Sequence, residues 1–433
     1  MTRRELIRLG GSAAWVALAA GVLGTAGCGG GAGNSALQTG DGYSGTDDQL
    51  LDEIEAAAFL YYWEQTDPVT GQIKDRALAA GNDTRTLSSI AATGFGLTVL
   101  CIGDQRGYRP SQQIAARVQT TLQFIHDQLQ GQNGFFYHFI DMSTGVRAGN
   151  SEVSSIDTAI LICGVLTCRA HFPQTQIASL ATEIYQRVNW GWMLNGGPTL
   201  AMAWTPENGF SAARWDHYSE LMMLYLLAIG SSTYPIPAST WSAWTRPTIT
   251  YQGLTYISGA DPLFVHQYSH AWFDFRIRSD SYANYFQNSI AATEAHRLFC
   301  VGLNGQFSDY SSDLWGITAS DSANGYTVWG GPPTIGPIDG TVVPCAAGGS
   351  LPFLYAETIH VLRWIRGHYS QAWQRYGYVD AFNPLTGWYD GDVLGIDLGI
   401  MALMAENQRS GFVWQTFMSN AEVVAAMTLA GFH

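Results

Sequence analysis

Residues 214–229 read RWDHYSELMMLYLLAI, a polar and aromatic opening followed by an almost unbroken apolar run. A helix with one wet face shows an apolar stripe, whereas a helix that is apolar nearly all round has to be enclosed. The run after Glu220 is of the second kind, and residues 157–166 and 397–404 share the pattern. Periodicity predicts about a dozen helices, at 48–66, 87–102, 111–130, 154–171, 175–193, 216–229, 237–246, 264–278, 282–300, 351–369, 393–407 and 421–430. Few segments alternate as strands do. Between the helices lie long Gly-, Trp- and Asn-rich loops such as NGGPTLAMAWTPENGF (195–210) and WGGPPTIGPIDG (329–340), and ordered loops of that length tend to carry function. Enclosed helices interleaved with one-sided ones predict an all-α toroid, inner helices ringing an axis and outer helices wrapping them. A bundle or a solenoid is the alternative, but no solenoid period is visible.

The composition agrees with a large core: 433 residues, 47% hydrophobic and only 13% charged. A net charge of −14 excludes a nucleic-acid backbone as partner, which calls for clustered Lys and Arg. The 15 Trp and 21 Tyr supply flat rings with polar handles, which serve cores and also stack on neutral polar ligands. Residues 1–28 read as an export signal: Arg3 and Arg4 resemble a twin-arginine pair, and the apolar run 13–23 is too short to span a membrane. Thr25-Ala26-Gly27-Cys28 resembles a lipoprotein cleavage box, which makes Cys28 the lipid-bearing residue of a periplasmic or cell-surface protein; simple secretion is the alternative. Residues 29–47 read as a flexible tether and 48–433 as a single domain. Excluding Cys28, five cysteines remain at no spacing that suits a zinc box or a disulfide framework.

Two segments align: SEVSSIDTAIL (151–161) with GDVLGIDLGIM (391–401), matching Glu152 to Asp392 and Asp157 to Asp397. A carboxylate inside an apolar helical run costs several kcal/mol unless it is paired, hydrogen-bonded or facing a wet cavity. Asp157 and Asp397 are therefore either buried network residues or the lining of the open end of the toroid. Five residues turn a helix by about 140°, so Glu152 and Asp157 face one ligand only if Glu152 reaches in from the turn before the helix. Glu220 stands at the start of its helix, where the macrodipole favours the anion. It keeps a proton only if desolvation by rings such as Trp215 and Tyr218 outweighs that dipole. In HQYSHAWFDFR (266–276), His266 and His270 are four apart, but no three-ligand metal set emerges. A GxSxG elbow, a Walker loop and a Rossmann fingerprint are all absent.

Eight segments in order, GFFYHFIDMSTGVRAGNSEVSSIDTAIL, WMLNGGPTLAMAW, RWDHYSE, FVHQYSHAWFDFR, WGITASD, AAGGSLPF, YGYVDAFNP and GIDLGIMALMAENQRSGFVW, resemble the bacterial glycoamylase-like domain. This is the family of endo-β-1,2-glucanases, related to the transglycosylating domain of cyclic β-1,2-glucan synthases. The resemblance runs from residue 51 to 433. It implies an (α/α)6 toroid, a glycoside hydrolase acting on a β-linked glucan, no cofactor and inversion at the anomeric centre. Inversion needs an acid and a base about 6.5–9.5 Å apart. The resemblance assigns the acid to Glu220 and the base to Asp157, with Glu152 as substitute and Asp274, Asp321 and Asp397 in contention. It also suggests sugar contacts from Trp215, Tyr218, His266, Gln267, His270, Trp272, Arg276, Trp315 and Trp388. The expected protein is a monomer whose membrane contact is its lipid anchor alone. Transglycosylation of β-1,2-glucan and non-catalytic glycan capture by a lipoprotein remain the competing readings.

Overall fold

The segments without a polar face form the inner wall. In the computed structural model, which describes residues 40–259, 262–333 and 336–433, they become α2 (Ile90–Arg106), α4 (Ser155–His171), α7 (Met222–Ile229) and α12 (Gly395–Arg409), joined by the shorter α8 (Tyr268–Trp272) and α10 (Pro344–Gly348). All residues of α7, α8 and α10 are buried, as are the first fourteen of α2 and of α4. Outer helices bury one side only: α1 (Asp47–Glu64), α3 (Ser111–Asp127), α5 (Gln176–Gln186), α9 (Tyr285–Gly302) and α11 (Tyr355–His368), with the small α6 (Trp190–Leu194) following α5. A 3-10 turn, Ala238–Ser242, holds the outer place between α7 and α8. Outer and inner elements thus alternate six times, an (α/α)6 toroid. The export signal and Cys28 lie outside the described residues.

Because every inner helix runs the same way, their N-termini share one rim. Short strands lead into three of them: Leu87–Ser89 into α2, Val153–Ser154 into α4 and Asp392–Leu394 into α12. Each pairs antiparallel with a neighbouring segment, Phe139–Asp141, Ala203–Thr205 and Arg76–Leu78 respectively, which fixes where each helix begins. The opposite end is covered by α13 (Phe412–Met418), which packs on α2, α4, α8 and α12 and is followed by α14 (Ala421–Leu429). Trp414 Nε1 donates to the His270 carbonyl at 2.6 Å, and Asn420 Nδ2 to the Leu166 carbonyl at 3.1 Å.

The tightest crossing joins α2 to α4 at Gly94 and Gly164. A Cβ on Gly164 would run into the Gly94 carbonyl oxygen, and one on Gly94 into the backbone of Ile160. Neither helix can recede, because both are enclosed. Gly164→Ala is expected to destabilise the domain by about 1–3 kcal/mol or more through overpacking, read as a lowered urea midpoint with an unchanged slope.

Several sequence-based boundaries move. The helix expected over 216–229 begins only at Met222, because Tyr218 N donates to Thr245 O at 2.9 Å and Thr245 N to Asp216 O at 2.8 Å, holding the polar opening in a non-helical turn. The 175–193 segment splits at 187–189, and 264–278 shortens to a 3-10 turn plus α8. Helices α10 and α13, which lack amphipathic length, were not expected. Residues 40–46 of the expected tether dock on α11: the Arg363 guanidinium binds Asp41, the Gly45 carbonyl (2.8 Å), the Tyr43 carbonyl (3.1 Å) and Asp47 (3.0 Å).

Candidate active site

The rim gathers carboxylates at the leading ends of the inner helices. At α4, Ser154 is the N-cap: its Oγ accepts from Asp157 N at 3.0 Å and its hydroxyl donates to the Asp157 carboxylate. Glu152 stands just before the lead-in strand, outside the helix, and this resolves the helical-spacing problem. Glu152, Asp157 and His138 bring ligand atoms within 4.8 Å of one another. His138 Nδ1 lies 3.2 Å from Glu152 and 3.7 Å from Asp157, and its ring stacks on Phe139. The backbone sets that position, since His138 N donates to Glu152 O at 2.8 Å and Ile90 N to His138 O at 3.1 Å.

At α12, Asp397 occupies the first turn without a capping side chain on Leu394. It faces Asp380 within hydrogen-bonding reach. Asp380 Oδ2 accepts from Asp321 N at 2.7 Å, and Arg76 ties Asp321 to Asp75. Burial, reinforced by Asp397, Asp321 and Asp390, pushes the Asp380 carboxyl well above its ordinary range. Asp390 is pushed up to about 7 by burial, with Asp321 and Asp392 adding to it and Arg76 opposing. Asp392, the sequence counterpart of Glu152, is instead held by the Arg85 guanidinium through two 2.7 Å bonds.

Glu220 ends the RWDHYSE segment two residues before α7 and is 3% exposed. Its carbonyl accepts from Ser269 Oγ at 2.8 Å, and Ser269 Oγ in turn accepts from Met223 N at 3.0 Å. Trp215 Nε1 donates to Ser155 Oγ at 2.9 Å, so the segment is strapped between the starts of α4 and α8.

Most of the expected sugar-contacting rings prove to be wall. Trp215, Tyr218, His266, Gln267, His270, Trp272 and Trp315 are at most 2% exposed and offer no free face for a sugar. Their polar atoms serve the framework: Gln267 Nε2 donates to the Ala346 carbonyl (2.9 Å) and Ser350 Oγ (2.7 Å), His270 Nε2 meets Ser289 Oγ at 3.1 Å, and Trp272 Nε1 donates to Thr98 Oγ1 at 3.0 Å. Burial holds the imidazoles of His266 and His270 well below their ordinary range, the latter at about 3. Asp274 and Arg276 pair with each other at 2.9 Å, and Arg276 lies over Trp414 at the closed end, because α8 carries them away from the rim. Asp321 and Trp388 do belong to the rim, Trp388 half-buried on a strand pair with Phe382–Asn383. Half-buried Trp204 and Phe210 stand on the sheet that includes Val153–Ser154. Sequence reasoning missed His138, Arg76, Asp380 and Asp390, and the fold assembles two three-ligand groups where spacing had shown none. Asp380 and Asp390 had a signal available, an acid inside or just after an aromatic run in YGYVDAFNP and GWYDGD.

Residues 212–421 match the Glycoamylase family model, described as "Putative glucoamylase". An exo β-1,2-glucooligosaccharide sophorohydrolase (non-reducing end) of Parabacteroides distasonis is 28% identical, covering 88% of this chain, which spans 57% of that relative's length. Among solved structures, the endo-β-1,2-glucanase of Chitinophaga pinensis in complex with sophorotriose and glucose superposes with a TM-score of 0.83 at 27% identity, covering 90% of this chain and 99% of the other. A β-1,2-glucanase of Parabacteroides distasonis gives 0.84 at 27% identity over 90% of this chain and 60% of its own. The toroid and the carboxylate-lined rim agree with these relatives: the chain is similar to the glycoamylase-like β-1,2-glucanases in fold, and its residues 212–421 match the Glycoamylase family model.

Proposed function

We propose that the rim is the active site of a glycoside hydrolase that cleaves β-1,2-glucan by acid and base catalysis. The observation that carries this reading is the set of three inner helices, α4, α7 and α12, each presenting a buried carboxyl at its leading end on one rim. The relatives' names support the substrate class. Glu220 is the general acid: it sits in a site shut off from water, the condition under which a carboxyl keeps its proton for a leaving glycosidic oxygen. A second carboxylate takes the proton from water as that water attacks the anomeric carbon from the opposite face, which inverts it.

Asp157, with Glu152 and His138 beside it, is one candidate base. Asp397, beside Asp380 at the start of α12, is the other. Asp157→Asn and Asp397→Asn on a linear β-1,2-glucan separate them. The base variant is expected to lose about 10²–10⁴ in kcat and the other less than about tenfold. Two variants within about tenfold of wild type would remove the carboxylate-base reading. Products longer than the substrate would favour transglycosylation, and binding without products a capture protein. The export signal and Cys28 support a lipid-anchored protein working outside the cytoplasm.

A further inference from the structure

We infer that Asp321, Asp380 and Asp390 form a divalent-cation site, of a kind that suits calcium, at the rim. The three residues come from separate places in the chain: Asp321 follows the strand Ala319–Ser320, Asp380 precedes the strand Phe382–Asn383, and Asp390 follows its partner Trp388–Tyr389. One oxygen from each lies within 4.8 Å of the others. Two ligands on opposite sides of one calcium ion, each about 2.4 Å from it, span that same distance.

Proximity of acids alone would carry nothing, since acidic clusters are common without an ion. Here two further oxygens matter. Asp380 Oδ1 and Asp390 Oδ2 are shielded from solvent and accept no hydrogen bond, in side chains 4% and 9% exposed. A buried carboxylate oxygen left without a donor is costly, and these two belong to neighbouring members of one group. Three of the other four oxygens are used: Asp380 Oδ2 by Asp321 N, Asp390 Oδ1 by Asp392 N at 3.1 Å, and Asp321 Oδ2 by Arg76. Arg76 is shared with Asp75, so its guanidinium bonds only Asp321 of the three. The other three-ligand group differs, because His138 and the Ser154 hydroxyl supply it with donors from within.

One proton shared between two carboxyls would satisfy one orphan oxygen. A cation with hard-oxygen preference satisfies both and ties together the 319–321 strand and the 382–390 hairpin.

The full chain, stripped with EDTA, is titrated with CaCl2 by calorimetry and with terbium by sensitised luminescence, and its Tm is recorded with and without calcium. One ion per chain, at a Kd of about 10⁻⁵–10⁻³ M, and a higher Tm with calcium are expected. Asp321→Asn and Asp390→Asn should each weaken binding at least about tenfold while retaining the far-UV spectrum. No calcium heat and a Tm indifferent to EDTA would overturn the site, as would binding that survives both substitutions. If either variant fails to fold, the wild-type titration and its EDTA response decide alone.

Discussion

Glu220→Gln is expected to lower kcat on β-1,2-glucan by about 10²–10⁴ while leaving the fold and sugar binding in place. Glutamine keeps the volume of the side chain and its hydrogen-bonding reach but cannot deliver a proton to a leaving oxygen. The fold should survive because the segment is held by its backbone: the Glu220 carbonyl and Met223 amide meet at Ser269 Oγ, and Trp215 is bonded to Ser155. The experiment has two arms, turnover and binding of a short β-1,2-glucooligosaccharide by calorimetry. Lost turnover with preserved binding fits a general acid. Preserved turnover would remove Glu220 from the chemistry, and loss of both would make it a structural residue. A substrate carrying a good leaving group adds a further discriminator, since it needs less protonation and should recover much of the rate.

Arg409→Met is expected to cost about 3–5 kcal/mol of stability at alkaline pH and clearly less near pH 6. Arg409, at the end of α12, reaches across to α1 and binds Asp48 at 2.8 Å, Asp52 at 3.2 Å and the fully buried Glu55 at 2.5 Å. Glu55 is pushed up to about 8 by burial and by Glu406, against the pull of Arg409 and Arg106. A carboxyl raised in the folded state holds its proton between its ordinary value and about 8, so stability from that group falls as pH rises through this window. With Arg409 gone, an ionised Glu55 keeps only Arg106 as counter-charge. At pH 6, inside that window, the proton replaces the missing cation, and the loss shrinks to packing and hydrogen bonds. Urea melts at pH 6 and pH 9 measure the difference. Equal losses at both would mean that Glu55 is ionised throughout.

The toroid was legible because enclosure leaves a mark: α2, α4, α7 and α12 have no polar stripe, and their outer neighbours do. The acids at the starts of α4 and α12 stood out for the same reason. Less could be read of what feeds those helices, since strands of two or three residues are too short to show a period of two. His138 reaches Glu152 only because such a strand pair brings its hairpin alongside. The segment 264–276 misled in an instructive way. Its His, Gln and Trp residues look like ligand-binding groups, yet α8 and α10 are five residues long and leave most of their own backbone groups without helical partners. Gln267 meets that need at the Ala346 carbonyl, and Trp414 meets it at the His270 carbonyl. Dry walls made of short helices require polar side chains.

The covering of the far end by α13 has a consequence for traffic. Four inner helices rest on that plug, so among the described residues the molecule is a cup with one door, not a ring that a polymer could thread. On the proposed function, a glucan chain would arrive and depart across the same lip, and the severed half would clear it before another chain could settle. How much of the chain projects on either side of the cut is then decided at the lip, by the loops bearing Trp204 and Trp388, while the helical wall behind them stays the same.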